Sequence, residues 1–390
     1  MSDDPSMIRG ADPRTEVVIV GGGVAALEAL IALHVLASRR IHVTLLAPGP
    51  DFVSRPMAIS ELLFLEARAQ YPLERVARDF AADHVSESVT IVDPATAVVG
   101  CASGRDFPYD SLIVALGALA EPAFAHAVTI GDDPEDPVLH GLLADLELGH
   151  VKRLAFVVPS ATSWSLPIYE LALLTAADAR RMGMHDVQIV IVSAEERPLG
   201  LFGPAAAGQL EDLLARRGIV FIGATRPQVA RGEVVAGSRH IEVDRTLALP
   251  ALRGPALAGL PADGRGFIPV DVHGRVRGLT GVFAAGDATS FPLKQGGIAA
   301  QQAEAAAQAV AARHGCALAP EPFRPVLRGK LLAGGDDLYV RADISGGAGD
   351  GTAAPGALWW PPGKLAAPRL TSYLHGVEQA ELTSAGRLGP

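Results

Sequence analysis

Cysteine is nearly absent: Cys101 and Cys316 are the only two in 390 residues, far apart in the chain. No CxxC occurs, so there is neither a redox dithiol motif nor a thiolate zinc site. A disulfide framework is excluded at this size, and a reducing compartment is the natural reading. Basic runs are missing as well. With 33 Lys and Arg against 43 Asp and Glu the formal net charge is −10. Nucleic acid is therefore excluded as a partner, because phosphate contacts need a cationic surface. The acidity needs no reason beyond solubility. The 11 histidines show no HxxxH or similar spacing, so no metal site is expected. No run of about 18 apolar residues exists, so no membrane-spanning helix is expected. Met1 to Thr15 is polar and acidic without an apolar core, which argues against a signal peptide and reads as a frayed leader. These absences point to the cytoplasm and leave open peripheral contact with the inner membrane face.

What the chain does have is apolar residues, 49% of the total, and a length sufficient for two or three domains. Glu16 to Val20 is a continuous apolar strand. Gly21-Gly22-Gly23 follows, then an apolar helix from about Val24 to Ser38 and a second strand from Ile41 to Ala47. Both strands are apolar at every position, which marks a parallel β-α-β unit. Gly21-x-Gly23-x-x-Ala26 sits between strand and helix, where the dinucleotide fingerprint belongs. Gly21 allows the tight turn, Gly23 admits a pyrophosphate to the helix N-terminus, and Ala26 keeps the helix close to the strand. The acid that holds a ribose hydroxyl is missing, since Ala47 stands at the strand end before Pro48-Gly49-Pro50. The ribose contacts then fall to backbone groups or to Ser54.

Strands are expected at about 84–93, 95–101 and 111–115, with Ser103 to Asp106 as a hairpin turn. A second β-α-β unit runs from a strand at 154–158 through a helix at about 167–182 to a strand at 187–192. A helix at 204–217 and strands near 219–244 complete it. Its first turn, Ser160-Ala161-Thr162-Ser163, contains no glycine. Its second strand ends at Val192-Ser193, with Glu195-Glu196 and Arg197 just beyond. NAD(P)H therefore stays open as a ligand. Residues 248–271 read as ordered loop, Val282 to Ala285 as a strand, and 297–313 as an Ala- and Gln-rich helix.

The stretch "GVFAAGDATSFPLKQGGIAAQQA" is the most specific in the chain. A strand ends at Gly286-Asp287, and Lys294-Gln295-Gly296-Gly297 leads into a helix. This resembles the second flavin motif of the pyridine nucleotide-disulfide oxidoreductase superfamily. "SLIVALGALAEP" similarly resembles its middle motif, with Ala115-Leu116-Gly117 where Ala-Thr-Gly is usual. "VTLLAPGPDFVSRPMA", "LPIYELAL" and "VSAEERPLGLFG" look like the sulfide:quinone reductase and flavocytochrome c sulfide dehydrogenase branch, to which type II NADH dehydrogenases are related. The resemblance covers roughly residues 16–315.

It implies an α/β fold with two Rossmann-like dinucleotide-binding domains in three layers and a C-terminal extension. The expected boundaries are 16–120 with 245–325 for a discontinuous FAD-binding domain, 121–244 for the second unit, and 326–390 for the extension. It further implies non-covalent FAD held by Gly21, Gly23, Val24, Ala25, Ala26, Ala47, Pro48, Ser54, Arg55, Ser88, Val89, Ala115, Leu116, Gly117, Trp164, Gly286, Asp287, Lys294, Gln295 and Gly296. By the resemblance Asp287 bonds the ribityl chain. The following helix N-terminus then faces the pyrimidine edge, where its dipole favours the charge of the reduced ring.

Glu170 and Lys294 are the catalytic candidates. Glu170 corresponds to a glutamate on the flavin N5 side, as a proton relay or nicotinamide guide; the plainer reading is a first-turn acid on its helix. Lys294 either neutralises the reduced flavin or is solvated. Trp164 either covers the flavin or belongs to the core. The branch departs in its chemistry: Ser163-Trp164-Ser165 stands where a redox cysteine belongs, and neither Cys101 nor Cys316 matches a family cysteine. An oxidoreductase is expected, moving electrons from a small donor, NAD(P)H among the candidates, to a quinone or another small acceptor. A cysteine-free enzyme on sulfur compounds and a flavin-binding sensor without turnover are the alternatives. In the tail, Trp359-Trp360-Pro361-Pro362 suits packing over the flavin or a homodimer contact better than a membrane contact.

Overall fold

The computed structural model describes residues 15–53, 70–131, 137–335, 337–344 and 351–386. Two five-stranded parallel sheets organise the chain. The first has the order Val282–Ala284, Ser111–Val114, Thr15–Val20, Ile41–Leu46 and Asp83–Val85. Helix α1 (Val24–Ala37) joins its central strand, Thr15–Val20, to the neighbour Ile41–Leu46. Every residue of α1 from Ala25 to Leu33 is buried, so the helix lacks the polar face of a surface helix.

The second sheet has the order Val128–Thr129, Arg245–Ala248, Arg153–Val158, Gln188–Ser193 and Ile219–Ile222. The parallel β-α-β reading holds in both sheets, because each crossover buries both faces of its strands. Arg245–Ala248 pairs with Arg153–Val158, so the boundary expected at 244/245 cuts off a strand of the second sheet. The expected strand at 84–93 is two strands: Asp83–Val85 joins the first sheet, and Val89–Asp93 turns away into a hairpin with Val98–Cys101. Helix α2 is Leu73–Asp79 and α3 is Pro137–Glu147. Helices α4 (Leu166–Arg181), α5 (Gly203–Arg216) and α6 (Gly296–Arg313) lie within a residue of expectation at each end. Residues 248–271 are largely loop, pinned by Ala251–Arg253 against Leu119–Glu121.

The tail carries more structure than its Gly- and Pro-rich sequence suggests. Val326–Leu331, Leu338–Asp343 and Thr352–Ala354 form an antiparallel sheet. Its inner face, with Leu327, Leu331, Val340 and Ala342, joins the core of the second unit. Gly329 makes the close approach, since a Cβ there would lie 2.5 Å from Leu166 Cδ1. Helix α7 (Leu370–Gly386) then packs Leu370, Leu374 and Val377 into the core beneath α1.

The N-terminus of α7 is held by Glu28, a carboxylate in the middle of α1 with 0% exposure. It accepts the backbone N–H groups of Arg369 and Leu370, each at 2.8 Å. The Arg369 guanidinium meanwhile pairs with Glu304 on α6 at 2.8 and 2.9 Å. Burial pushes Glu28 up to about 7, against the two N–H bonds that favour the ion. The folded state therefore holds a proton that the unfolded chain releases near the ordinary carboxylate value. Stability from this group is fully present at acid pH, falls as the pH rises towards 7, and levels off above it. Chemical denaturation across that window should show parent and Glu28→Gln proteins diverging, with the slope absent from the variant. Parallel curves would overturn the assignment.

Candidate functional site

Three chain segments end together at the carboxyl edge of the first sheet: Val20, Val114 and Ala284 are the last residues of neighbouring strands. Gly21, Ala115 and Ala285 follow them, so the three glycine-marked turns of the sequence become one site. Gly21 adopts φ +124°, and a Cβ on it would lie 2.2 Å from the Ala115 carbonyl oxygen. Only glycine permits that approach. Gly23 is the extended N-cap of α1, and a Cβ on it would meet no atom within 4 Å. The unpaired N–H groups of the first turn of α1 thus border open space with the dipole behind them, as a diphosphate requires.

Ala25 and Ala26 are buried. Ala25 lies 2.9 Å from where a Gly286 Cβ would be, and Val24 lies 3.8 Å from the same position on Gly296. The N-termini of α1 and α6 therefore converge on the same space. Ala115 is buried, Leu116 is partly exposed at the rim, and Gly117 has φ +75°.

Beyond the end of Ile41–Leu46 the backbone groups are bonded within the fold. Ala47 is buried; its N–H bonds Val85 O at 3.2 Å, and its carbonyl accepts from His84 Nε2 at 3.3 Å. Pro48 O accepts from Ser86 Oγ at 3.0 Å. Ser54 and Arg55 lie outside the described residues. Ser88 and Val89 are engaged in the neighbouring hairpin, with Ser88 O accepting Ala102 N–H and Val89 opposite Cys101.

On the α6 side, Gln302 organises the Gly286-Asp287 turn. Its Oε1 accepts Gly286 N–H at 2.8 Å and the Thr289 hydroxyl at 3.2 Å. The sequence reading missed Gln302, whose one signal is a glutamine on the inward face of an alanine-rich helix. Gln295 caps α6: its Oε1 accepts Ile298 N–H at 2.8 Å, and its Nε2 donates to Arg328 O at 3.1 Å. Lys294 is not a solvated lysine. It donates to the Thr289 carbonyl and stands 3.9 Å over the Phe267 ring. Burial lowers it to about 8, opposed by the Asp287 carboxylate. It remains mostly cationic at neutral pH and is able to shed its proton just above it.

The second unit departs most from expectation. Trp164 packs against Phe202 at 5.9 Å and approaches Gly329, so it is a core contact between the second unit and the tail. Glu195 lies two residues past the end of Gln188–Ser193, near where an acid would hold the adenosine ribose of NADH, but it is 6% exposed and points inward. Its carboxylate accepts hydroxyls from Ser165 at 2.9 Å, Tyr169 at 2.5 Å and Ser193 at 3.1 Å. Burial raises it, and the three hydroxyls oppose that rise. Arg197 is held by a two-pronged pair with Glu211 at 2.8 and 2.6 Å. Glu170 lies in the second turn of α4, not the first, and is fully buried. It forms an ion pair with Lys364 of the tail and accepts Leu332 N–H at 3.2 Å. A first-turn acid stabilised only by the helix dipole is thereby ruled out.

The two cysteines lie on different elements. Cys101 ends a hairpin strand. Cys316 Sγ bonds Leu36 O at 3.4 Å, at the far end of α1, which is ~20 Å long from its first turn. Among the described residues no group of three His, Cys, Asp or Glu is placed to hold a metal, and no helix is long and apolar enough to cross a membrane.

Residues 15–142 and 171–312 match the profile of the pyridine nucleotide-disulphide oxidoreductase family. The chain belongs to that family. Among curated members, a sulfide-quinone reductase of Aquifex aeolicus (strain VF5) is 24% identical over 266 residues, covering 63% of this chain and 61% of that protein. The match thus spans less than two thirds of the relative. The sulfide:quinone oxidoreductase structure from the same species has a TM-score of 0.78 at 19% identity, with 87% of each chain covered. Putidaredoxin reductase in its covalent complex with putidaredoxin gives 0.61 at 17%, covering 85% of this chain and 82% of that one. These structural likenesses establish the family fold: two Rossmann-like units and the sulfide:quinone reductase-like arrangement. The family match ends at residue 312, so Lys364, the tail sheet and α7 all lie beyond it.

Proposed function

We propose that the chain binds FAD non-covalently and works as an oxidoreductase, passing electrons from a small donor to a quinone or another small acceptor. The observation that carries this reading is the convergence of Gly21-x-Gly23, Ala115-Leu116-Gly117 and Gly286-Asp287 at one sheet edge, with two helix N-termini facing the same space. The diphosphate would rest on the first turn of α1, where the space beside Gly23 is open. Asp287 would take the ribityl hydroxyls. Lys294 and the N-terminus of α6 would favour negative charge on the pyrimidine edge. FAD when bound supplies the two-electron chemistry; the chain orients it, excludes water and supplies charge.

The inward Glu195 and the glycine-free turn at 160–163 support a donor other than NAD(P)H. The Glu195 carboxylate is turned away from a ribose, and a diphosphate meets a turn closed on itself by Ser163 N–H to Ser160 O at 3.0 Å. The positions of Cys101 and Cys316 likewise argue against a cysteine-based reaction with sulfide.

The test is direct. Protein purified gently, with FAD added, should show flavin absorption at one flavin per chain. Anaerobic mixing with NADH or NADPH should leave that absorption unbleached, and a quinol or another small reductant should bleach it. A chain that takes up no flavin overturns the cofactor reading. Rapid bleaching by a nicotinamide overturns the donor reading alone.

A further inference from the structure

Two arginines face each other across the tail sheet. The inner face of that sheet buries Leu327, Leu331, Val340 and Ala342, so the alternate residues belong to the outer face. The register sets Arg328 directly opposite Arg341, and Arg341 directly opposite Thr352. Neighbouring strands lie ~4.8 Å apart, so the three residues form one row of about 10 Å across the sheet. The next row adds Lys330 opposite Tyr339, with its ammonium 5.6 Å over the ring.

Like charges directly opposite on a sheet repel, and a carboxylate at either position would stabilise the pair instead. Arg328 is half-buried, while Arg341 and Thr352 are exposed. Burial and the Arg341 charge both hold Arg328 below its ordinary value, yet a guanidinium stays charged. Among the described residues neither guanidinium has an ion-pair or hydrogen-bond partner. The one acid among them on this face, Asp343, stands at its far end opposite Val326. A half-buried cation that lacks an acceptor is costly to the fold. The arrangement is therefore unfavourable for the chain alone and suited to an acceptor brought from outside. An oxyanion between the two forks would cancel the repulsion and accept paired N–H groups from each. A row of this length is too small for a protein partner, which covers about 800 Å² on each side. The net charge of −10 disfavours a polyanion.

We propose that Arg328, Arg341 and Thr352 form a binding site for a small oxyanion with two negative charges, of the sulfate, hydrogen phosphate or dicarboxylate kind. The guanidinium forks supply the charge and the paired donors, and the Thr352 hydroxyl supplies a further one. The site lies beyond the family match, which ends at residue 312, and it needs no flavin. It is tied to the start of α6, because Gln295 Nε2 donates to Arg328 O at 3.1 Å.

Calorimetric titration of the full chain at constant ionic strength, with chloride as the background anion, tests the site. The probes are sulfate, phosphate and succinate. At least one should bind saturably at one per chain, and which one does so tells an inorganic ligand from a carboxylate. Arg341→Gln should weaken that binding about 10-fold or more, and Arg328→Lys should weaken it too, since the charge remains but the fork is lost. Arg275→Gln removes an exposed arginine already paired with Asp271 at 3.3 Å, and should leave the affinity unchanged. Arg341→Glu gives a second readout. Its ligand-free chain should melt above the parent, because attraction replaces repulsion, and it should bind none of the probes. No saturable binding in the parent overturns the proposal, as does unchanged affinity in Arg341→Gln or Arg328→Lys, or equal weakening in Arg275→Gln. An Arg341→Glu chain that melts at or below the parent overturns it as well. Binding to phosphatidylglycerol vesicles without binding to any free ion would also overturn it, and would assign the face to a membrane surface.

Discussion

Gly21→Ala should strongly destabilise the first unit, whereas Gly23→Ala should leave it intact and weaken its hold on flavin. The two glycines are neighbours in one motif and fail for different reasons. A methyl at Gly21 would enter the Ala115 carbonyl at 2.2 Å with φ at +124°. Two central strands of the first sheet would have to separate, at a cost of ~3 kcal/mol or more. Gly23 has an extended backbone and no atom within 4 Å of a Cβ. Alanine there costs the apoprotein nothing, and restricting the unfolded chain adds a few tenths of a kcal/mol of stability. The same methyl occupies the space through which a diphosphate reaches the first turn of α1. Flavin affinity should drop ~10-fold or more, equivalent to ~1.4 kcal/mol. Thermal unfolding of the apoproteins and flavin titration separate the two effects. Equal melting of parent and Gly21→Ala would refute the packing argument, and unchanged affinity in Gly23→Ala would refute the placement of the cradle.

The second large effect is expected at Glu195. An exposed acid poised for a ribose could be cut to alanine within ~0.5 kcal/mol. Glu195 instead satisfies Ser165, Tyr169 and Ser193, all buried. Glu195→Ala strands three hydroxyls and leaves a hole, so a loss of ~3–5 kcal/mol is expected. Denaturant unfolding should show it as a lower midpoint with an unchanged slope. A neutral result would mean that the carboxylate is free to turn outward, and would reopen the second unit to NAD(P)H.

These two sites mark the limit of what the sequence discloses. Gly21-x-Gly23-x-x-Ala26 is legible because its parts lie within six residues of one another, between a strand and a helix that their apolar runs announce. The helix ends of α4 to α6 are legible for the same reason. Glu195 is written identically whether its carboxylate faces a ribose or the interior. The choice depends on Tyr169 and Ser165, on a helix 26 and 30 residues earlier. The tail sheet was hidden by Gly329 and the Gly-rich run near 350, which look like loop until Leu166 and Trp164 are seen to need a residue without a side chain. Trp359 resolves as packing, edge-on to Tyr339 at 5.2 Å and bonded to Gly363 O at 3.1 Å, while Trp360 is 80% exposed.

The sequence by itself determined the two parallel β-α-β units, the glycine cradle and the absence of a redox cysteine from the turn before α4. Each is a statement about neighbouring residues, and local sterics and periodicity decide it. Only the tertiary structure decided which carboxylates face the site and which face the interior, and that a lysine from the tail stands against Glu170. A buried charge is settled by whatever partner reaches it through the fold. Here that partner comes from 194 residues away, a distance over which sequence patterns carry no information.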